Sequence, residues 1–305
     1  MMGESEMDPN GLAVVGDDGG SSHEFAAFAE GDAPEPLPLP SDIPSPVAAV
    51  PAGSGSVPLV IDPANDQRKR VTKSGLAPIR SLAAILAVDR KNGGVQIGTG
   101  WFFSPGLLVT AGHVLFDHNH NLGKMKEAFV LPMHNNSIPN AKGLFEKIHV
   151  SPNQFRLTDG WVKKKDRAAD YAAIVLPESQ HSSHWCNTSV ELNDEVLGAD
   201  QMARQQILIA GYPAKPPAGA APGTMWIAAG KLGGRDAKQI SYRIDTSGGQ
   251  SGTAVFLSTQ KGAYVLGIHN YGIALDGKRF NQATRINKAV FLQLAAWAGL
   301  KVAAS

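Results

Sequence analysis

Residues 245–255 read DTSGGQSGTAV. Three glycines, at 248, 249 and 252, surround Ser251, and apolar residues follow at once. Glycine loses more conformational freedom on folding than any other residue, so such a cluster marks backbone that turns sharply or approaches something closely. Two readings compete for it. One is a flexible turn between two strands; the other is a nucleophile loop whose N–H groups point at a developing oxyanion. The rest of the chain has to decide between them.

Working outward, the chain from about Val60 onward is a series of short β-like runs. They are LAAILAVD (82–89), VQIGTGWFF (95–103), LLVTA (107–111), EAFVLP (127–132), YAAIVLP (171–177), QILIAGY (206–212), MWIAAGKL (225–232), ISYRI (240–244), GTAVFLS (252–258) and AYVLGIHNY (263–271). Turn signals such as KNGG (91–94), SPG (104–106) and TQKG (259–262) lie between them. Many short strands with Gly- and Pro-bearing turns predict an all-β sandwich or barrel. The end differs. In NKAVFLQLAAWAGL, Asn287 can cap a helix in which Val290, Phe291, Leu294 and Trp297 recur at helical spacing. This predicts a C-terminal helix over about 287–299 that packs on the β domain.

Residues 1–58 have another texture. EGDAPEPLPLPSDIPSPVAAVPAGSGSVP (30–58) is dense in Pro, Ala, Gly and Ser and has no periodic apolar face. Such a composition cannot bury enough surface to offset its ordering entropy. Residues 1–59 are therefore expected to be a disordered leader or pro-segment, and 60–305 the folded domain. No internal repeat is visible.

The bulk numbers set bounds. With 305 residues, 43% of them apolar, the chain can build one large or two small domains. A net charge of +1 calls for neither nucleic acid nor an anionic membrane as partner. Cys186 is the only cysteine, so an intrachain disulfide and a zinc cage of thiolates are both excluded, and this thiol reads as structural. No run approaches the ~18 apolar residues of a membrane-spanning helix. The start, MMGESEMDPN, is acidic and lacks the basic region and apolar stretch of a signal peptide. Secretion by another route, a cytoplasmic location and a different start codon all stay open. His118 and His120 in DHNHN, with Asp117 and His134 nearby, have no ligand spacing anchored on regular structure, so no metal site is expected. Lys163–Lys165 reads as a solvated face, and Arg68-Lys69-Arg70 as exposed charge.

Ser251 as a nucleophile needs a base and a group to orient that base. His113 sits in LLVTAGHVL, where a strand runs into small residues and Ala-Gly leaves room beside the ring. Asp170 immediately precedes the apolar run YAAIVLP, which puts its carboxylate at the edge of the core. A buried carboxylate is costly without donors, and an imidazole N–H is such a donor. Asp166 follows WVKKK and reads as solvated. The order His113, Asp170, Ser251, each at a strand end, gives the roles of an acyl-transfer triad. Ser251 attacks the carbonyl, His113 takes and returns the proton, and Asp170 orients His113. The N–H groups of Gly249 and Ser251 would form the oxyanion hole. On this reading the glycines of 245–255 shape an anion cradle.

TAGHV, DYAAIVLP, GYP, TMW, DTSGGQSGTAVF and GIHNYG, in this order, resemble the chymotrypsin-fold serine proteases. Within them the similarity is to the bacterial glutamyl endopeptidases, over roughly residues 60–298. DQRKRVT resembles the segment near the mature start of the bacillar enzymes. The resemblance implies two six-stranded antiparallel β-barrels with the site in the cleft between them. It also implies a monomeric endopeptidase acting on protein or peptide substrates, with no cofactor and no metal. Thr246 and His269 stand where this family binds the carboxylate of a substrate Glu, and the edge Asn270-Tyr271-Gly272 would pair with the substrate backbone. Against this, Asp245 lies at the position that forms the pocket floor in the wider fold, where a carboxylate suits Arg or Lys. The alternatives of basic specificity and of a catalytically silent binding module on the same fold therefore stay open. An esterase elbow, GxSxG on a strand–helix turn, is absent.

The resemblance also marks departures. Thr253-Ala254 replaces the usual Ser-Pro, and Tyr271-Gly272 stands where Trp or Thr and glycines are common. Gln250 occupies the place of the aspartate that pairs with a new N-terminal amine in trypsin-like zymogens, so that ion-pair switch cannot operate. Activation by removal of the leader, giving a terminus near Val60 or Ile61 close to the substrate carboxylate, is what the family implies.

Overall fold

The computed structural model describes residues 60–61, 64–75, 77–91, 93–135, 147–186, 206–217, 220, 223–259, 262–275 and 278–301, so the leader lies outside the described residues. The first half carries β1 (Lys69–Arg70), β2 (Leu82–Val88), β3 (Val95–Ser104), β4 (Leu107–Thr110), β5 (Phe116–Asp117), β6 (Gly123–Lys124), β7 (Glu127–Pro132), β8 (Ile148–Val150), β9 (Phe155–Leu157) and β10 (Ala172–Val175). The second carries β11 (Gln206–Gly211), β12 (Trp226–Arg235), β13 (Gln239–Tyr242), β14 (Ala254–Thr259), β15 (Gly262–Leu275) and β16 (Lys278–Arg285). Among the described residues the helices are α1 (Gly112–Leu115), α2 (Asp159–Lys164) and α3 (Lys288–Trp297), besides short 3₁₀ turns.

The apolar runs are continuous because their strands are buried on both faces. Successive side chains on a strand point to opposite sides. In β2, Ala83, Ile85 and Ala87 enter a cluster inside the first sheet. Leu82, Ala84, Leu86 and Val88 join a second cluster, which also takes Leu208 and Ala210 of β11 and Ala254 and Phe256 of β14. The alternate residues of those strands, Ile207, Ile209, Val255 and Leu257, fill the inside of the second sheet. Two interiors thus share one layer between them. That layer fixes how the two halves face each other.

In the second half, β12 pairs along its length first with β11 and then with β13, with a register shift between Leu232 and Gly234. The strands β12-β11-β14-β15-β16-β13 therefore close on themselves as a six-stranded antiparallel barrel, and β1 adds to β12 from outside. The first half is a seven-stranded row, β8-β7-β2-β3-β4-β10-β9. Its edge strands have three residues each and are not paired with one another among the described residues. The all-β fold expected from the sequence is present, with one barrel closed and the other a half-barrel.

The C-terminal helix forms as its pattern predicts. Asn287 accepts the Val290 N–H at 3.0 Å. Val290 and Leu294 enter the shared layer, Phe291 meets Phe103 edge-on at 5.9 Å, and Trp297 lies 5.8 Å from Tyr171. The helix packs on the first half. Strand β16, by contrast, was not legible in KRFNQATR, because the residues it buries are Asn281, Ala283 and Thr284 rather than large apolar ones.

Candidate active site

His113 leaves the end of β4 in the single-turn helix α1. Gly112 precedes it because a Cβ there would lie 2.8 Å from both Asp170 Oδ1 and Trp161 Cδ1. Asp170, fully buried, caps a 3₁₀ turn two residues before β10. Its carboxylate accepts twice from one residue: the His113 backbone N–H donates to Oδ1 at 2.7 Å and the ring Nδ1 to Oδ2 at 2.7 Å. A carboxylate only accepts, so the ring proton sits on Nδ1 and Nε2 carries the lone pair. Burial opposes the charged form of His113. The Asp170 carboxylate, through its charge and hydrogen bond, and the more distant Asp117 outweigh it and raise the imidazole above its ordinary 6.5.

The 245–255 loop is pressed against the same strand ends. The Ser251 carbonyl accepts from Thr99 N–H of β3 at 2.9 Å, and the Gly249 carbonyl from Thr99 Oγ1 at 2.8 Å. Gly249 has φ +97° and Gly252 +92°, a region open to glycine and strained for other residues. A Cβ at 252 would collide with Thr110, Thr99 O and Ala111 N, just ahead of His113. Close approach and left-handed backbone thus explain both glycines. The N–H groups of Gly249 and Ser251 make no hydrogen bond among the described residues. Ser251 itself is 4% exposed.

His269 lies in β15, wholly buried. Its Nδ1 is 2.7 Å from the Tyr242 hydroxyl. Burial drives its pKa down to about 3, the Gln282 backbone opposes that only partly, and the nearby His113 adds to it. The ring is neutral. Its Nε2 makes no hydrogen bond of normal distance and angle, although the Gln282 backbone lies near enough to the ring to favour its charged form, and the buried Thr246 Oγ1 has no partner. Asn270 donates to Thr284 Oγ1 at 2.8 Å and to the Asp170 carbonyl at 3.4 Å, tying β15 to the first half. The ladder from β14 to β15 ends at Ala254↔Ile268, so Tyr271 and Gly272 are paired on the β16 side alone. The Tyr271 ring packs 5.8 Å from His113, and the Arg167 guanidinium lies 5.0 Å above it. Burial and the Asp170 carboxylate push the Tyr271 hydroxyl far above its usual range, so it stays protonated.

Asp245 does not stand open to a ligand. Its Oδ1 accepts from Ile61 N–H at 2.6 Å and its Oδ2 from Gln67 N–H at 2.8 Å, holding the segment that leads into β1. Arg68, expected as exposed charge, is buried at 7% exposure and reaches the loop from behind. The expected solvated face holds, since Lys163, Lys164, Lys165 and Asp166 are all exposed. Burial pushes the Cys186 thiol up to about 11, which suits a structural role. Sequence reasoning missed Thr99, Tyr242 and Arg68; nothing local distinguishes them, because each acts on residues more than 25 positions away.

Residues 98–268 match the family model of the trypsin-like peptidase domain. The chain belongs to the trypsin-like peptidases. It is a serine endopeptidase, a hydrolase whose substrates are proteins or peptides. This peptidase is 28% identical over 239 residues to a glutamyl endopeptidase of Bacillus licheniformis, covering 76% of this chain and 67% of that one. It is 26% identical over 236 residues to a protein of Bacillus subtilis named as an extracellular metalloprotease, covering 76% and 68% respectively. Among the described residues of the peptidase, no group of three or more His, Cys, Asp or Glu side chains could hold a metal ion. Its fold matches a solved structure of a Glu endopeptidase in complex with MPD, with a TM-score of 0.63 at 21% identity, over 78% of this chain and 99% of that one.

Proposed function

We propose that this peptidase cleaves after glutamate, with weaker cleavage after aspartate, through Ser251, His113 and Asp170. Ser251 Oγ attacks the scissile carbonyl carbon and its proton passes to His113 Nε2. The tetrahedral oxyanion is held by the N–H groups of Gly249 and Ser251, each contributing about 3 kcal/mol to the transition state. His113 then gives its proton to the leaving amine, which departs as the acyl-enzyme forms. Water, deprotonated by the same ring, hydrolyses that ester and restores Ser251. Asp170 keeps the imidazole in the tautomer that can do this. The substrate backbone adds to the free edge at Asn270-Tyr271-Gly272 as an extra strand.

One observation carries the preference for glutamate: two buried polar atoms, Thr246 Oγ1 and His269 Nε2, lack partners. A buried polar group left unsatisfied costs about 1–3 kcal/mol, so a ligand that completes both is favoured. Burial keeps the Tyr242 hydroxyl protonated, and when it donates to His269 Nδ1 the ring proton lies on Nε2. An N–H and an O–H together suit a carboxylate. The reading of Asp245 as the floor of a pocket for Arg or Lys is weakened by its two bonds to the Ile61 and Gln67 amides. Residues 60–305 act as the catalytic domain in this reading, with 1–59 as a pro-segment ahead of it.

The test is cleavage of a peptide library by the full chain and by a chain beginning at Val60. Products ending in Glu support the assignment, whereas products ending in Arg or Lys would return specificity to Asp245. Equal activity of the two chains would remove any inhibitory role for 1–59. The pH profile gives a second check. His113 must be neutral to act as base, and its pKa is raised, so the acidic limb of kcat/KM should have its midpoint above 6.5. A midpoint at or below 6.5 would mean that another group limits the reaction.

A further inference from the structure

The loop that carries Gly249 and Ser251 is held from behind by a side chain far away in sequence. Arg68 stands just before β1, which is fixed on the second barrel by Lys69↔Ile227, Arg70↔Trp226 and the Val71 N–H to Met225 O bond at 2.9 Å. Its guanidinium has a fixed fork of donors. Asp66 takes one side of that fork: Nε donates to Oδ1 at 3.0 Å and to Oδ2 at 3.2 Å, and Nη2 to Oδ2 at 2.7 Å. Burial opposes the charge on Asp66, but these bonds outweigh it and keep the carboxylate below its usual range. With the plane locked in this way, Nη1 donates to Ser247 Oγ at 2.6 Å and to Gln250 Oε1 at 3.4 Å.

Those two acceptors are the ends of the turn that contains Gly249. Gln250 Oε1 also accepts the Ser247 N–H at 3.0 Å, and the Gln250 N–H donates to Ser247 O at 3.1 Å. The Arg68 side chain is 4% exposed, Gln250 is fully buried and Ser247 is half-buried, so water has little access to these bonds. An oxyanion hole works only when its donors are aimed before the charge develops. The Gly249 N–H shares a peptide plane with the Gly248 carbonyl, which accepts from the Ala214 N–H at 2.8 Å, and Thr99 holds the Gly249 carbonyl; Arg68 secures the other side of the turn, at Ser247 and Gln250.

We propose that Arg68 is a positioning residue for catalysis: through Ser247 and Gln250 it holds the 247–250 turn so that the Gly249 and Ser251 N–H groups face the oxyanion. The oxyanion hole is thereby built by seating the 64–70 segment on the second barrel, and it needs no charged partner at position 250. The inference rests on Ser251 acting as proposed above.

The test compares full-length wild type with Arg68→Ala, Arg68→Lys and Ser247→Ala on a Glu-containing peptide. Two ligands accompany it: a peptide aldehyde ending in Glu, which forms a tetrahedral adduct, and a product peptide ending in a Glu carboxylate, which does not. Arg68→Ala should lower kcat by about tenfold to a hundredfold, a weaker loss than removing an oxyanion donor outright, with KM little changed. Aldehyde affinity should fall by the same factor and product affinity should stay. Methylguanidinium added to Arg68→Ala should restore part of kcat, and Arg68→Lys, lacking the fork, should fall in between. If Arg68→Ala does not fold, Ser247→Ala breaks the shorter bond without touching the segment and must show the same split. Lower thermal stability with kcat and aldehyde affinity unchanged would reduce Arg68 to a structural tether and overturn the inference. Absence of any Ser251-dependent turnover in the wild type would instead overturn the reading of the site itself.

Discussion

Replacing Ser251 by alanine is expected to lower kcat about a millionfold while KM for a Glu-containing peptide stays near the wild-type value. The change removes one oxygen from a residue that is 4% exposed and leaves the backbone donors in place. Binding and the oxyanion hole should survive, so a residual rate of about 10³–10⁴ over the uncatalysed reaction should remain. His113→Ala should cost a similar factor. The double variant should be no worse than either single one, because the two groups act as a unit. Additive losses would mean that the histidine and the serine serve separate steps. Full-length and Val60-initiated chains that bind peptides tightly but show no turnover would favour a binding module built on a protease fold.

The second large effect falls on specificity. His269→Ala should lower kcat/KM for Glu substrates by about a thousandfold while leaving a poor substrate with an uncharged residue at that position nearly unchanged, since sites built to hydrogen-bond a polar group discriminate strongly. Tyr242→Phe should be milder, about tenfold, because it removes the hydroxyl paired with His269 Nδ1 and leaves the ring in place. An equal loss on both substrates would point to a general packing defect and remove His269 from the pocket. The same residue should shape acid stability. Its folded pKa is about 3 against 6.5 for a free histidine. Between those values the unfolded chain binds the extra proton, so stability rises with pH across that window and is lost as pH falls through it. At ~1.36 kcal/mol per pKa unit, the contribution over the window approaches roughly 5 kcal/mol. His113 works in the opposite sense: its pKa is raised, so its stabilisation is full below 6.5 and fades as pH rises through the folded value. Urea titrations from pH 3 to 7 on His269→Phe should show a flatter dependence than the wild type.

Some of this was legible because it is written locally. Strands such as LAAILAVD announce themselves by continuous apolar character, and Asn287 with the 290, 291, 294, 297 spacing announces the last helix. The glycines at 249 and 252 mark left-handed backbone, and both adopt it. Strand β16 was not legible, since closing the barrel required only that Asn281, Ala283 and Thr284 fit between neighbours, with no apolar signature.

The direction of a side chain is a different matter. The family resemblance implied that both Asp245 and His269 lie near a pocket and left two opposite specificities open. Their orientations depend on partners that meet only in three dimensions. The Ile61 and Gln67 amides draw Asp245 toward the N-terminal segment, and Tyr242 takes one nitrogen of His269 and leaves the other free. Arg68 carried even less signal, since a basic residue beside two others reads as surface charge until Asp66, Ser247 and Gln250 surround it. The sequence by itself determined the long apolar strands, the turns between them and the candidate chemistry, because backbone propensity and local sterics act over a few residues. Only the tertiary structure decided which polar groups are satisfied and which are left waiting, because a hydrogen bond is set by distances between residues as many as 184 positions apart.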